Sequence, residues 1–316
     1  MNPATYIPGN CTVGQYGLTA PGPCSTTSNT SFRRRFYLAN PTLGAAYASV
    51  NTMDDGAVAH YNGLLLSLQH RLAHNFSFNV NYTDSICISD SDFGAALAAS
   101  NNSQPFNRHA DWGPCVFDTR HNFNLSLVAN SGIKGANRWV NRLLSDWQLA
   151  PLLHASSGQP INLITGKDNS LTSINQSNND RPNQVLADVS ATNPICNTGA
   201  TPCVQWFNPA AFQPNALGAF GNLGRNAVRG PYTVNVDFAL SRIFKINDRY
   251  SVQARAEAFN VLNHANFVGA ISPAGGTAYP IFSNGVNPNN LSSSSFGRIP
   301  SAFDPRIVQF ALKMFF

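Results

Sequence analysis

The sequence has few charged residues and no long apolar run. Charged residues make up 11% of the 316 residues, less than half of the roughly 25% found in average soluble domains. Lysine and arginine cluster only at Arg33, Arg34 and Arg35, so the extended basic surface that a nucleic-acid partner requires is missing. No apolar run approaches the roughly 20 residues of a membrane helix. These absences argue against a nucleic-acid-binding protein and against a helical membrane protein.

Two features of the first 42 residues predict how this segment is used: its extreme N-terminus and its arginine triplet. The N-terminus, "MNPATYIPGNCTVGQYG", has no basic region followed by an apolar region, which predicts the absence of a signal peptide. The chain is then either a cytoplasmic protein or part of a longer one. The arginine triplet is interpreted as a solvated loop or turn, with a phosphate or lipid-headgroup site as the alternative.

The end of the chain, "RIVQFALKMFF", alternates strictly between apolar and polar positions. One face carries Val308, Phe310, Leu312, Met314 and Phe316, and the other carries Gln309, Ala311 and Lys313. A period of two predicts a β-strand with one entirely apolar face.

The same alternation recurs along the chain and predicts an all-β fold. Predicted strands lie at 61–72, 76–83, 122–127, 147–165, 233–246 and 250–261, with a weaker candidate at 43–53. The short turns "AHN" and "NDR" join two pairs of these strands as hairpins.

The composition of the two strand faces favours a membrane barrel over a soluble sandwich. The polar face is mostly uncharged, and aromatic residues lie near strand ends: Tyr82, Trp147, Tyr250, Phe244 and Phe316. Lipid-facing barrel strands have this pattern. Eleven terminal residues at ~3.4 Å each, tilted by ~45°, project about 26 Å along the membrane normal, close to the ~25 Å apolar band.

The lengths of the connections between predicted strands indicate a barrel with long loops at one end and short turns at the other. Long connections (84–117, 166–232 and 266–303) alternate with shorter ones, so the long loops share one end of the sheet. Outer-membrane barrels have long external loops and short periplasmic turns. We therefore assign 43–316 to the barrel and leave 1–42 as a segment of unassigned side.

Residues on the predicted inner face are polar, which bears on how many strands the barrel has. They include Asn235, Asp237, Gln253, Arg255, Glu257, Gln309 and Lys313. A closed eight-strand barrel fills its interior with its own side chains, and these groups would then need complete mutual pairing. The sequence therefore predicts about eight strands in a curved, open sheet that is an incomplete part of a larger barrel.

The six cysteines fall as close pairs outside the predicted strands. The pairs are Cys11 with Cys24, Cys87 with Cys115, and Cys196 with Cys203. Pairing within each loop is predicted because the segments are too long to be ordered by a core of their own and because a cell surface is oxidising. A zinc site at Cys196 and Cys203, with His154 or His264, is the alternative.

A series of motifs resembles one family of outer-membrane proteins. The motifs are "YNGLLLSLQHRLAHNFSFNVNYT", "FDTRHNFNLSL", "SDWQLAPLLHASSGQPINLITGKDNSLT", "FGNLGRNAVRGP" and "AEAFNVLNHANF", followed by the strand that ends at Phe316. In this order they are similar to the C-terminal barrel of TonB-dependent receptors of the Oar-like kind. Such receptors have roughly 22 strands around an N-terminal plug. The chain lacks the plug, the TonB box and most of that barrel, which suggests a truncated gene product or a C-terminal piece.

The resemblance implies uptake of a bulky ligand across the outer membrane of a Gram-negative cell. The partners of the protein would be outer-membrane lipid, the barrel-assembly machinery, a ligand that the sequence does not identify, and the TonB complex through the missing plug. Phe310, Leu312, Met314 and Phe316 resemble the C-terminal assembly signal of such barrels. No cofactor and no resident metal are expected. A structural or adhesive surface barrel and a secreted, disulfide-stapled β-sandwich remain as alternatives.

We expect no enzyme, because the four groups of candidate catalytic and ligand-binding residues lack the features that their chemistry requires. The candidates are the acid/base set Asp118, Arg120, His121, His109 and Asp111, the zinc-like pair His70 and His74, the glycines Gly218, Gly221 and Gly224, and the ligand contacts Asn260, Asn263 and His264. The acid/base set has no nucleophile beside it, the two histidines flank a turn rather than lie on a helix, and the glycines lack the lysine of a phosphate-binding loop. Structural roles are favoured for all four groups.

Overall fold

The computed structural model describes residues 1–50, 55–73, 75–91, 103–132, 144–173, 180–191, 195–198, 201–247, 249–267, 289–299 and 302–316. Its main feature is one antiparallel sheet of eight strands. Seven of them are long and are labelled here in chain order: β1 (Ala59–Ala73), β2 (Phe76–Ser89), β3 (His121–Asn130), β4 (Trp147–Ser156), β5 (Thr233–Lys245), β6 (Ser251–Phe259) and β7 (Ile307–Phe315). The short strand Gly113–Pro114 pairs with β2. The predicted all-β barrel fragment of about eight strands is confirmed.

The seven long strands pair in sequence order, so the sheet is a meander with β1 and β7 at its two edges. Within the described residues, β1 and β7 are not paired with each other. The sheet is therefore open, as the polar inner face predicts. We call this seven-stranded sheet the wall.

The register aligns apolar residues on one face of the wall and polar residues on the other. One apolar row runs Leu68, Val80, Leu125, Leu153, Val236, and another runs Leu149, Leu240, Ala256, Phe310. One residue along, a polar row runs Ser67, Asn81, Asn124, His154, Asn235. Alternation along each strand thus becomes a continuous apolar face across the whole wall.

All long connections lie at one end of the wall, which we call the loop end. The opposite turn end carries the turns after β1 and β5, residues 131–132 and 144–146 that flank β3 and β4, and the C-terminus. Residues 1–50 also lie at the loop end, since Ala4 N donates to Thr172 O (2.9 Å) and Arg33 Nη1 donates to Leu171 O (3.3 Å). The side of the N-terminal segment, which the sequence did not indicate, follows from these contacts.

The loops contain their own hydrophobic core. It is built from Ile161, Leu163, Phe207, Ala211, Phe212, Leu223, Val228 and Phe296. Among the described residues, the only buried apolar side chain in a wall strand is Cys87. The argument that these segments cannot order a core of their own was therefore wrong, because the loops pack on one another.

The remaining elements are short and lie in the loop segments. The helices are α1 (Arg35–Ala39) and α2 (Pro41–Gly44), with 3-10 turns at Gln15–Gly17, Thr30–Arg33, Arg108–Asp111 and Pro209–Ala211. The short strands are Asn10–Cys11, Gly22–Pro23, Pro160–Ile161, Asn183–Gln184, Ile195–Thr198, Thr201–Gln205, Phe212–Gln213, Val228–Arg229 and Arg298–Ile299. No helix in the described part of the chain is both long enough and apolar enough to cross a membrane.

Two strand predictions are corrected. The candidate at 43–53 begins instead as α2, because Asn40 Oδ1 accepts from Leu43 N (3.1 Å) and Pro41 occupies the first turn, a favourable helix start; 51–53 lie outside the described residues. The strand predicted at 147–165 ends at Ser156. There the chain leaves the wall, and Gly158 contacts the Gly230 carbonyl so closely that a side chain would collide with it.

Candidate functional site

The polar inner face of the wall is lined by amide and hydroxyl groups that bond to one another. Ser67 Oγ donates to Asn81 Oδ1 (2.8 Å), and Asn81 Nδ2 donates to Asn79 Oδ1 (3.1 Å). His154 Nδ1 lies 2.8 Å from Asn124 Oδ1. The first and third of these contacts link neighbouring strands, the second lies within β2, and together they leave the face hydrophilic and largely uncharged.

Charged groups on this face are concentrated near β6 and β7. Glu257 accepts from both Arg255 and Gln309, and the Lys313 ammonium lies 4.9 Å from the Phe315 ring centroid. Asp237 Oδ1 accepts from Asn235 Nδ2 (2.9 Å). The predicted inward residues thus share one face, and five of them pair with one another: Asn235, Asp237, Arg255, Glu257 and Gln309.

The opposite face is exposed and apolar up to the end of the chain. The exposed fractions are 81% for Phe310, 78% for Leu312, 58% for Met314 and 90% for Phe316. A row of this kind has no protein partner in the described structure and suits contact with lipid. The four residues of the predicted assembly signal therefore lie on the lipid-facing side, and their recognition during assembly stays a prediction.

Aromatic residues border the apolar face at the turn end. Arg242 lies between the rings of Trp147 (5.2 Å to the centroid) and Phe244 (4.8 Å), and Arg249 lies 5.8 Å from the Tyr250 ring. Towards the loop end, the Tyr82 hydroxyl lies 2.9 Å from His121 Nδ1. Amphipathic rings at two levels match the interfacial girdles of a membrane barrel.

Two disulfides close segments at the loop end. Cys11 is joined to Cys24 and Cys87 to Cys115, with Cα–Cα distances of 4.9 and 5.3 Å. Cys87 lies on β2 rather than in a loop, because the alternation continues through Ile86 and Ile88 beyond the predicted strand end.

The third cysteine pair lies in a short hairpin, where the backbone register places Cys196 opposite Cys203. Their disulfide stays a prediction. The histidines of the zinc alternative are engaged elsewhere: His154 contacts Asn124, and His264 Nδ1 lies 3.0 Å from Asn266 Oδ1. The described residues include no group of three or more metal-ligating side chains.

The predicted acid/base set is divided among separate ion pairs. Asp118 accepts from Cys87 N (2.7 Å) and Arg229 Nη2 (2.5 Å). Asp111 pairs with Arg181 (2.6 Å), whereas Arg120 pairs with Asp84 on β2 (2.8 Å). His121 contacts Tyr82, and His109 stacks on Trp112 at 6.4 Å. The carboxylates therefore tie loops together and to the wall.

The other motifs also have structural partners. The His70 ring stacks on Phe76 (4.5 Å), while His74 lies outside the described residues. Gly221 lies too close to the Arg181 carbonyl for any side chain, and Gly218 (φ +76°) meets the Tyr6 ring. Gly224 has no such close contact.

The asparagine motif after β6 forms a turn. Asn260 Oδ1 accepts from His264 N (3.0 Å), and Asn263 Oδ1 accepts from Arg306 N (3.1 Å). Both asparagines have left-handed backbones, with φ of 48° and 51°, a conformation that asparagine tolerates. These bonds hold the start of β7 beside the end of β6.

The arginine triplet is not a solvated loop. Arg33 is fully buried and donates to Asn29 Oδ1 (2.9 Å) and to the carbonyls of Thr5 (2.6 Å), Leu171 (3.3 Å) and Thr26 (2.9 Å). Burial lowers the pKa of the Arg33 guanidinium, and nearby Asp168 acts in the opposite direction.

The second arginine of the triplet is also buried. Arg34 Nη1 donates to Asn2 O (2.8 Å), and burial lowers its pKa too. Arg35, by contrast, is exposed and lies 5.5 Å from the Phe106 ring. The sequence did not predict these roles, because three consecutive arginines normally indicate a solvent-exposed segment. Here Arg33 and Arg34 instead donate to backbone carbonyls of neighbouring loops.

Sequence reasoning also missed a recess on the inner face near the loop end. It encloses about 200 Å³ between β1, β2, β3 and the segment that precedes β3. Its lining includes Tyr61, Thr83, Ser85, Phe117, Thr119 and Asn122. The available signal was the parity of Tyr61, which places an aromatic side chain on the mostly polar face.

Comparison with known proteins agrees with this architecture. A family model described as "Outer membrane beta barrel domain" matches residues 4–309. Searches of curated proteins and of solved structures gave no significant match. The matched family resides in the outer membrane of Gram-negative bacteria, where an apolar face with aromatic borders and a polar inner face is required. The chain therefore belongs to the outer membrane beta-barrel domain family.

Proposed function

We propose that this domain forms part of the wall and the external loops of a TonB-dependent transporter, which takes up a bulky ligand with energy passed through a plug domain. The motif series of Oar-like receptors supports this assignment. The packed loop end also supports it, because loops with a core of their own can present a defined surface to a ligand. The ion pairs of Asp111 and Asp118 favour a structural role over catalysis, and we propose no enzymatic activity.

The motif series of Oar-like receptors is the observation that carries the proposal, and the strand count of the wall supports the larger barrel that the proposal requires. Seven antiparallel strands alternate in direction, so β1 and β7 both run from the loop end to the turn end. Direct pairing of these two edges would create a parallel seam, whereas bacterial outer-membrane barrels are antiparallel with an even number of strands. In hydrocarbon both edges must be paired. Antiparallel closure therefore takes an odd number of further strands.

A transporter-sized barrel is one of the even-stranded barrels that meet this requirement. A barrel of about 22 strands with a plugged lumen would supply about 15 strands beyond the seven of the wall (22 − 7), which is an odd number. The largely uncharged inner face of the wall would then line part of a wide lumen and hydrogen-bond to the contents of that lumen.

Capture by TonB tests the proposal. The full-length product of the native gene, with any plug domain encoded in frame before Met1, would be extracted from outer membranes in mild detergent and cross-linked to the purified periplasmic domain of TonB from the same organism. We expect a cross-linked complex, with an unrelated outer-membrane porin from the same extract as the negative control. Folded protein that gives no complex would refute the transport proposal and favour the structural or adhesive barrel. An in-frame plug domain in the DNA upstream would provide independent support.

A further inference from the structure

The recess on the inner face combines an open aromatic ring with neutral hydrogen-bonding groups. Its volume of about 200 Å³ is close to that of roughly seven water molecules at ~30 Å³ each. It opens at the loop end, on the route that a ligand arriving from outside would take into the lumen. The recess is therefore placed and sized for one small unit of a larger ligand.

Tyr61 supplies a flat platform at one side of the recess. Its ring lies along β1 over Gly63, where an added Cβ would be 3.2 Å from the ring carbon Cε1 and 3.1 Å from the hydroxyl oxygen. The missing side chain of Gly63 thus leaves room for the hydroxyl end of the ring. Because Tyr61 is still 65% exposed, much of the ring remains accessible to a ligand. Phe117, also exposed, adds a second aromatic residue to the lining.

The polar lining can both donate and accept hydrogen bonds. Ser85 Oγ donates to Thr119 O (3.2 Å), which leaves its oxygen lone pairs available as acceptors. Asn122 accepts from Asn124 Nδ2 through Oδ1 (2.9 Å), which leaves its own amide nitrogen available as a donor. The Thr83 hydroxyl makes no hydrogen bond to another residue in the described part of the chain. Neutral donors and acceptors therefore surround the platform.

The charge of the recess narrows the class of ligand. Its carboxylate, Asp118, is already bonded to Arg229 and to Cys87 N, and the lining includes no cationic side chain. An ionic ligand would lack a counter-charge, and a purely apolar ligand would leave buried hydroxyl and amide groups unsatisfied. A sugar ring fits both requirements, because its C–H face stacks on an aromatic ring while its hydroxyls bond to neutral polar groups.

We propose that this recess binds one neutral sugar residue of a glycan that enters from the external side. The inference deepens the proposed transport function by naming the class of ligand, and it rests on that proposal for the direction of entry. Tyr61 would stack on the sugar, and Thr83 and Asn122 would bond to its hydroxyls.

Saturation-transfer NMR on outer-membrane vesicles that carry the protein tests the proposal. The probes are maltotriose and triacetylchitotriose as neutral glycans and trigalacturonate as a charged comparison. We expect binding of at least one neutral probe. Tyr61→Ala should weaken it about tenfold, and Tyr61→Phe, which keeps the platform, by less than about threefold. Tyr232→Ala is the matched control, since Tyr232 is an exposed tyrosine at the loop end outside the recess and its loss should leave binding unchanged.

A second variant separates recognition from folding. Thr83→Val keeps the shape of the side chain but removes its hydroxyl, and it should weaken binding about three- to tenfold. Equal binding by wild-type protein and Tyr61→Ala, a preference for trigalacturonate, or no binding by either neutral probe would each overturn the sugar assignment. Protein that is captured by TonB but binds no sugar refutes this inference alone. Protein missing from the membrane fraction refutes the barrel on which the transport proposal stands.

Discussion

Leu312→Arg is the sharpest test of which face of the wall meets lipid. Leu312 lies on β7, is 78% exposed and pairs with Ala254 on β6. β7 spans nine residues, so its eight steps of ~3.4 Å, tilted by ~45°, rise about 19 Å along the membrane normal. Leu312 is one step, or about 2.4 Å, from the strand midpoint at Ala311. The substitution therefore places a charge near the centre of the apolar band.

The expected cost follows from this depth. An arginine on the lipid face near the midplane costs about 2–4 kcal/mol, equal to a roughly 30- to 1,000-fold shift of the folding equilibrium. Gln309→Arg is the matched control: it adds the same side chain to the same strand, on the inner face beside Glu257. The carboxylate of Glu257 can pair with the new guanidinium, so we expect little change.

Membrane yield and stability measure the difference. Both variants would be expressed in the outer membrane, scored by surface labelling, and unfolded in urea within lipid vesicles. Leu312→Arg should lose surface expression or about 2–4 kcal/mol of stability, and Gln309→Arg should match the wild-type protein. Deleting Phe316, at the end of the exposed apolar row, should also impair insertion. Equal expression and stability of the two arginine variants would show that the apolar face does not contact lipid.

Three further predictions concern the loop end. Arg33→Lys should destabilise the packed loops by about 2–4 kcal/mol, because lysine cannot replace all four hydrogen bonds of the guanidinium and leaves buried carbonyls unsatisfied. Limited proteolysis of the loops measures the loss of stability, with Arg35→Lys at an exposed position as the control. Equal cleavage rates of the two variants would contradict the prediction. Burial raises the pKa of the Asp180 carboxyl above its ordinary value of 3.8. The folded loops therefore bind a proton at Asp180 more tightly than the unfolded chain does. Their stability should increase as the pH falls from the raised pKa towards the ordinary pKa. Hydrogen exchange of the loops should slow over this pH range in the wild-type protein and not in Asp180→Asn. Identical pH profiles of the two proteins would show that the pKa of Asp180 is not raised in the folded loops. Finally, peptide mapping without reduction should recover Cys196 joined to Cys203, and free alkylation of both thiols would exclude that disulfide.

The wall was predictable because one physical rule acts along each strand. Lipid on one side and water on the other impose a period of two, so residues such as Leu312 and Gln309 reveal their faces without any knowledge of the neighbouring strand. Short turns also predicted two of the hairpins, β1 with β2 and β5 with β6. The long predicted strand after Trp147 failed because apolar residues beyond Ser156, such as Ile161 and Leu163, belong to the loop core.

The loop end was not predictable because its contacts join residues that are distant in sequence. Arg33 bonds to Leu171, 138 residues away, and Arg225 bonds to Ser89, 136 residues away. No local pattern indicates such pairs. The recess was missed for the same reason, since Phe117 and Tyr61 meet only after β1, β2 and the segment before β3 are placed side by side.

The location of the hydrophobic core in the loops has a consequence for how the two parts of the protein can vary. Lipid is fluid and adapts to any apolar shape, so outward positions of the wall such as Val236 and Leu240 should accept exchange among alanine, valine, leucine and phenylalanine. Leu163 and Ala211, both fully enclosed, are surrounded by close-packed protein in which one extra methylene causes strain. The membrane-spanning strands should thus diverge freely in side-chain size while they keep their polarity. The external loops, usually the most variable part of a barrel, should carry the strictest limits on volume.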